Sequence, residues 1–145
     1  MKLVFERINF ADRYRVLCDS FQDFENRLNG SQKALCEDVL NGFEYEYKYY
    51  SNGSFYQISQ EIDGLVFQLN LVLKGGLVES LLYMNKDGNT IEPKGRIDFF
   101  PEDLDIPFDR KKYNLPIYTS LEDLQQILIA LFKIYEDIKK EVLAG

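Results

Sequence analysis

The chain has 145 residues, of which 46% are hydrophobic and 14% aromatic, and its 24 acidic and 17 basic residues give a net charge of −7. A chain of this length can bury roughly two-thirds of its unfolded surface, so we expect a single domain over residues 1–145. The negative charge argues against a nucleic-acid partner, because nucleic-acid binders neutralise phosphates with basic patches. The excess acid fits a solvated surface, and it also fits a basic protein partner attracted over long range.

The sequence contains no histidine and no long apolar stretch. Without about 18 consecutive apolar residues we expect no membrane span, and charges as early as Glu6 and Arg7 do not suit a signal peptide. The two cysteines, Cys18 and Cys36, lie in helical patterns where a buried reduced thiol is the common state. We therefore expect a cytoplasmic protein.

The N-terminal third is predicted to be helical. One helix is expected to begin after Asn9, which is a suitable N-cap, and to end at Asn29-Gly30. A shorter helix is expected to open at Ser31 and to end at Asn41-Gly42. The apolar stripe of the first helix is Leu17, Phe21, Phe24 and Leu28, and that of the second is Leu35, Val39 and Leu40.

Four turn sequences divide the middle of the chain, about every twelve residues: Asn52-Gly53, Asp63-Gly64, Gly75-Gly76 and Asp87-Gly88. Each tolerates the positive φ that a tight hairpin requires. If each is a two-residue loop, apolar residues face one another across neighbouring strands. The predicted pairs include Phe43 with Ile62, Tyr47 with Ile58, Tyr49 with Tyr56, Ile58 with Leu69, Leu69 with Leu82 and Met84 with Ile91.

A slip of one residue would move all these side chains to the opposite face, so their agreement supports the register. We predict a five-stranded antiparallel meander in which Pro93 ends the last strand. The expected strands are 43–51, 54–62, 65–74, 77–85 and 89–93.

The last quarter of the chain is predicted to end in a long helix. Residues 94–118 are expected to be irregular, and Thr119-Ser120-Leu121-Glu122 then forms a capping box. The apolar stripe of this helix is suited to cover the sheet: Leu121, Leu124, Leu128, Leu131, Tyr135, Ile138 and Val142. The predicted class is α+β, with N-terminal helices and the long C-terminal helix packed on one face of the meander.

No catalytic constellation is evident in the sequence. The lack of histidine excludes histidine-based acid–base relays, and two cysteines alone make a poor zinc site. Glu44, Glu46 and Glu61 resemble the paired carboxylates of glycoside chemistry, but any alternating polar strand produces such a group. We expect no catalytic residues, no cofactor and no metal.

Residues 98–109 combine five acids with five large apolar residues and contain no base. A calcium site is one interpretation, since Asp103 and Asp105 alternate as oxygen donors, but the glycine and distal glutamate of an EF-hand loop are missing. A second interpretation is an ordinary loop with its phenylalanines tucked under the sheet. The third is an interaction segment, because apolar anchors among acids suit a basic partner. The basic run 110–112 would restrict where such a partner sits.

We place the predicted partner-binding residues on this segment and on the polar face of the sheet. The segment supplies acids and an aromatic anchor, while the sheet face supplies further acids and two aromatic side chains. The predicted residues are Glu44, Glu46, Tyr50, Phe55, Glu61, Asp98, Glu102, Asp103, Asp105 and Phe108.

The whole chain resembles the immunity proteins of bacterial contact-dependent inhibition and polymorphic-toxin systems. The features that carry this likeness are the meander with its Asn-Gly and Asp-Gly turns, the acidic segment 98–109 and the C-terminal helix from Thr119. The resemblance implies a non-enzymatic inhibitor that binds and blocks one cognate toxin, often a nuclease. Two alternatives stay open: a small-ligand or carbohydrate-binding domain with a pocket between helices and sheet, and a carboxylate-dependent enzyme.

Overall fold

The computed structural model describes residues 1–30 and 32–145. Its strands form one antiparallel sheet in the order β1-β2-β3-β4-β5, so the predicted α+β meander with N-terminal helices and a long C-terminal helix is confirmed. Short 3₁₀ turns occupy Lys74–Gly76 and Ile97–Phe99. The helices are α1 (Lys2–Arg7), α2 (Phe10–Ser20), α3 (Lys33–Leu40), α4 (Phe100–Asp103) and α5 (Leu121–Ala144), and the strands are β1 (Lys48–Tyr50), β2 (Phe55–Ile62), β3 (Leu65–Val72), β4 (Glu79–Lys86) and β5 (Asn89–Arg96).

The register of the sheet follows the predicted turns. The loops at Asp63-Gly64 and Asp87-Gly88 contain two residues, whereas those around Asn52-Gly53 and Gly75-Gly76 are longer. Because the longer loops keep the same centres, the register is unchanged. The confirmed pairs are Tyr49 with Tyr56, Ile58 with Leu69, Leu69 with Leu82 and Met84 with Ile91.

The first strand is much shorter than predicted. Residues 43–47 do not join the ladder with β2. The expected pairings of Phe43 with Ile62 and of Tyr47 with Ile58 are therefore wrong. The rings of Phe43 and Tyr45 lie instead 4.8 and 4.6 Å from the ring of Phe132 on α5. Aromatic packing against the helix has therefore displaced this segment from the sheet.

The last strand continues past Pro93 to Arg96, so the prediction that Pro93 ends it is wrong. An irregularity accommodates the proline: Met84 pairs with Ile91, but Leu82 pairs with Gly95. The edge strand therefore advances by four residues where its neighbour advances by two. A proline is tolerated at such a bulge, because a bulge leaves residues outside the ladder of hydrogen bonds.

The helix predicted to run to Leu28 ends at Ser20, and Phe24 is 53% exposed. The backbone beyond α2 bonds to a distant segment instead. Ile117 N–H donates to the carbonyl oxygen of Phe21 at 2.8 Å, and Leu28 N–H donates to that of Tyr118 at 3.0 Å. These bonds replace the helical ones that the apolar spacing predicted.

The next helix, α3, begins at Lys33, and the predicted start at Ser31 lies outside the described residues. Cys36 and Leu40 face the core, four residues apart, while Leu35 is 43% exposed. The expectation that Leu35 points inward is therefore wrong, because it lies beside the buried stripe of this helix.

Helix α5 covers the inner face of the sheet with a buried apolar stripe that includes Leu128. Its N-cap is Ser120, whose hydroxyl oxygen accepts from Asp123 N–H at 3.1 Å, and the Asp123 carboxylate accepts from Thr119 N–H at 3.0 Å. The capping acid is thus Asp123 and not the predicted Glu122. With Ser120 as the N-cap, the third residue of the helix, where a capping box places its acid, is Asp123.

Within 1–30 and 32–145, no helix has the length and apolar character needed to cross a membrane.

Candidate functional site

The acidic segment is attached firmly to the core at its start. Phe100 opens α4 and is fully buried, with its ring 5.6 Å from the ring of Phe5 in an edge-to-face contact. Pro101 follows in the first turn, where a missing N–H costs nothing. The chain then turns back, because Ile106 N–H donates to the Pro101 carbonyl at 2.7 Å. Asp105 takes a left-handed backbone conformation in this turn, with φ of 58°.

Asp98 lies inside the protein and not on its surface. Its carboxylate is fully buried and accepts two hydrogen bonds from Arg96, from Nε at 3.0 Å and from Nη2 at 2.9 Å. Burial lowers the pKa of the Arg96 guanidinium, but the bonds to Asp98 more than offset this effect and leave that pKa above its usual value. Asp98 therefore holds the segment in place and is not accessible as a partner-binding acid, contrary to our expectation.

The rest of the segment surrounds a shallow hollow of about 480 Å³, here called the acidic hollow. Two of the predicted acids, Glu102 and Asp105, line it together with the predicted anchor Phe108. Phe108 is half-buried, with its ring 6.1 Å from that of Tyr14 and 5.6 Å from that of Tyr113. The remaining lining residues are Ile106, Pro107, Asp109, Arg110 and Lys111.

The acidic hollow has a modest surplus of negative charge. Its lining carries three acids and two bases, a balance of −1, and the exposed chain neighbours Asp103 and Lys112 leave that balance unchanged. Arg110 Nε lies 3.8 Å from a Glu102 oxygen, a distance at which an exposed pair contributes little to stability.

Among residues 1–30 and 32–145, no three acids, histidines or cysteines come close enough to hold a metal ion.

The outer face of the sheet, turned away from α5, is the second region named by the sequence. Tyr50 and Phe55 stack there with ring centroids 5.0 Å apart and planes inclined by 17°. Both side chains are half-buried. A shallow groove of about 440 Å³ runs along this face, and its lining residues are Phe55, Gln68, Asn70, Val72, Glu79, Leu81 and Tyr83.

The three predicted acids at the sheet are exposed but are not brought together by strand pairing. Glu44 and Glu46 lie in the segment 43–47, which precedes β1 and does not pair with β2. Glu61 lies near the end of β2, opposite Val66. The ladder that would have aligned them is absent from residues 43–47. The cluster expected for carboxylate chemistry is therefore not assembled by the sheet.

Sequence reasoning missed Arg96 near the acidic segment and noted Arg110 only as part of the basic run 110–112. Arg96 and Arg110 cover the Phe99 ring, with guanidinium carbons 5.0 and 4.1 Å from the ring centroid. The only sequence signal was the spacing of Arg96 and Asp98, since residues two apart in an extended strand share a face. Arg110 belongs to the basic run 110–112, which was expected to restrict where a partner sits, and it also approaches Asp98 at 4.0 Å.

No family model, no curated protein and no solved structure matches this chain. The candidate site therefore rests on the geometry of the acidic hollow and of the outer sheet face.

Proposed function

We propose that this protein is a non-enzymatic inhibitor that binds a basic protein partner, as an immunity protein binds its toxin. The observation that carries the proposal is the acidic hollow. It places the exposed carboxylates of Glu102, Asp105 and Asp109 around the half-buried side chains of Ile106 and Phe108.

This arrangement suits an inserted lysine or arginine side chain of the partner. Such side chains have an apolar stem and a charged end, so the stem can pack on Phe108 while the charge meets Glu102 or Asp105. Exposed acids at the rim also attract a basic partner before contact, which raises the association rate more than the final affinity.

The hollow alone is too small for a stable interface, which typically buries about 800 Å² on each partner. A chain of contacts connects the outer sheet face with the hollow. Arg96 pairs across the ladder with Leu81 of that face. The guanidinium groups of Arg96 and Arg110 both lie over the Phe99 ring. Arg110 in turn lies beside Glu102. We propose that the partner covers both regions, with Tyr50 and Phe55 among the aromatic contacts.

The test begins with affinity purification from the native host, together with expression of the product of the neighbouring reading frame. A triple variant, Glu102→Gln, Asp103→Asn and Asp105→Asn, then removes three charges while keeping side-chain size. We expect association with the captured protein, measured by stopped flow, to slow roughly tenfold or more at low salt. The difference should shrink at about 0.5 M salt, because screening shortens the reach of the field.

A matched control removes the same charge elsewhere: Glu25→Gln, Asp63→Asn and Asp87→Asn, all exposed positions outside both candidate regions. The control variant should associate much closer to the wild-type rate. Equal rates for the two triple variants at both salt concentrations would show that only net charge matters. Capture of an acidic partner, or no effect of either variant, would refute a role for the acidic hollow in binding.

A further inference from the structure

A second and larger hollow, of about 590 Å³, lies between α3, the β1–β2 turn and the β3–β4 loop. Among residues 1–30 and 32–145, it shares no lining residue with the acidic hollow or with the groove of the outer sheet face. We call it the lysine hollow. Its lining residues are Gly30, Gln32, Lys33, Cys36, Tyr49, Ser54, Tyr56, Leu73, Lys74 and Gly75.

The interior of the lysine hollow is apolar and aromatic. Cys36 and Leu73 are almost completely buried there, and the rings of Tyr49 and Tyr56 lie 4.8 Å apart. Burial raises the pKa of the Cys36 thiol, so this sulfur stays neutral at physiological pH. The Cys36 sulfur also lies 3.7 Å from the Tyr118 hydroxyl. Tyr56 is buried as well, so among these groups the half-buried Tyr49 ring offers an apolar molecule the most accessible surface.

The charge at the mouth of this hollow opposes that of the whole chain. Its described lining residues include two lysines and no carboxylate, in a protein whose net charge is −7. Lys33 Nζ lies 4.5 Å from the Tyr49 ring centroid and 2.6 Å from a Glu37 oxygen. The Tyr56 hydroxyl donates to the same Glu37 carboxylate at 3.0 Å. With Glu37 counted, the two lysines leave a local balance of +1.

The Glu37 carboxylate pairs with Lys33, and about half of the Lys33 side chain stays exposed to solvent. The hydrogen bond to Glu37 raises the pKa of Lys33, so the ammonium group stays charged at neutral pH. Lys74 is also exposed, and it lines the hollow from the β3–β4 loop. Two cations therefore stand at the rim of an aromatic cavity.

We propose that the lysine hollow binds a small organic anion with an aromatic body. The ring system packs against the half-buried Tyr49, above the buried Tyr56 and Leu73, and the anionic group meets Lys33 and Lys74. The volume lies in the range of about 300–1,000 Å³ that small-molecule sites occupy. Because its lining differs from that of the protein-binding site, this inference does not rest on the function proposed above.

The charge requirement is tested with two dyes that share one ring system. 8-Anilinonaphthalene-1-sulfonate carries a sulfonate, and N-phenyl-1-naphthylamine lacks it. We expect the sulfonate to bind at a single site at least about tenfold more tightly than the neutral dye, by fluorescence titration. Amide shifts in ¹H–¹⁵N spectra should concentrate at Lys33, Tyr49, Tyr56 and Lys74.

Charge-removing variants locate the anion contact. Lys33→Gln with Lys74→Gln should weaken sulfonate binding about tenfold or more and leave binding of the neutral dye unchanged. Lys74→Gln alone keeps the Lys33–Glu37 pair and should give part of the effect. The matched control, Lys86→Gln with Lys140→Gln, removes the same charge at exposed positions that line neither hollow and should leave both affinities unchanged.

Three results would overturn the proposal: equal affinity for the two dyes, equal weakening by both lysine pairs, or amide shifts that map to the acidic hollow or the outer sheet face. None of these measurements uses a protein partner. Failure here would therefore leave the proposed inhibitor function standing, and failure of partner binding would leave the lysine hollow unaffected.

Discussion

Replacing Asp98 by asparagine removes the buried carboxylate that anchors the acidic segment while keeping the side chain's size. The carboxylate accepts from Arg96 Nε at 3.0 Å and from Nη2 at 2.9 Å. Asparagine retains one acceptor oxygen, but its amide group faces the second guanidinium donor. Loss of one member of a buried pair usually costs about 3–5 kcal/mol. Since the Arg96 side chain is 30% exposed and can be rehydrated, we expect a loss of about 2–4 kcal/mol in the free energy of unfolding.

Urea unfolding at pH 7, followed by far-UV circular dichroism, measures this loss. The matched control is Asp103→Asn, the same substitution at an exposed position of the same segment, which should change stability by less than about 0.5 kcal/mol. The difference should persist at high salt, because a buried pair is poorly screened. If the two variants unfold at the same urea concentration, the pair with Arg96 does not form in solution. Asp98 would then return to the set of surface acids that meet a partner.

Two further predictions concern the core. Leu69→Ala and Leu128→Ala should each lower the free energy of unfolding by about 2–5 kcal/mol through the cavity they leave, whereas Leu35→Ala, at an exposed leucine, should cost less than about 1 kcal/mol. Equal losses at all three positions would contradict the packing of α5 on the sheet. Burial raises the pKa of Cys18 to about 12 and also raises that of Cys36, so neither thiol should react with iodoacetamide in the folded protein at pH 8, where roughly one Cys18 in ten thousand is ionised. Both should react in urea, and rapid labelling without urea would show that the thiols are accessible.

The sheet register was predictable because its determinants are local. A turn sequence such as Asp63-Gly64 sets where the chain reverses, and alternation of apolar residues sets which face is buried. The pairs of Ile58 with Leu69 and of Leu69 with Leu82 follow from those two facts. The C-terminal helix was predictable for the same reason, since the spacing of its apolar residues lies within one element.

Competition between segments far apart in the sequence decided the rest. Residues 43–47 have the alternation of a strand, but Phe132 on α5 attracts their rings and removes them from the ladder. The backbone at Phe21 and Leu28 bonds to residues 117 and 118, so an apolar helical spacing there forms no helix. In each case a partner about 90 residues away offers a contact that the local pattern does not contain.

The candidate sites divide in the same way. The sequence by itself determined that the acids and apolar residues of 98–109 lie close together, because they are neighbours in the chain. Only the tertiary structure decided that Asp98 is buried while Glu102 and Asp105 stay exposed, since burial depends on what packs around each side chain. The lysine hollow depends wholly on tertiary structure, because α3 brings Lys33 while the β3–β4 loop brings Lys74, and no local pattern relates the two.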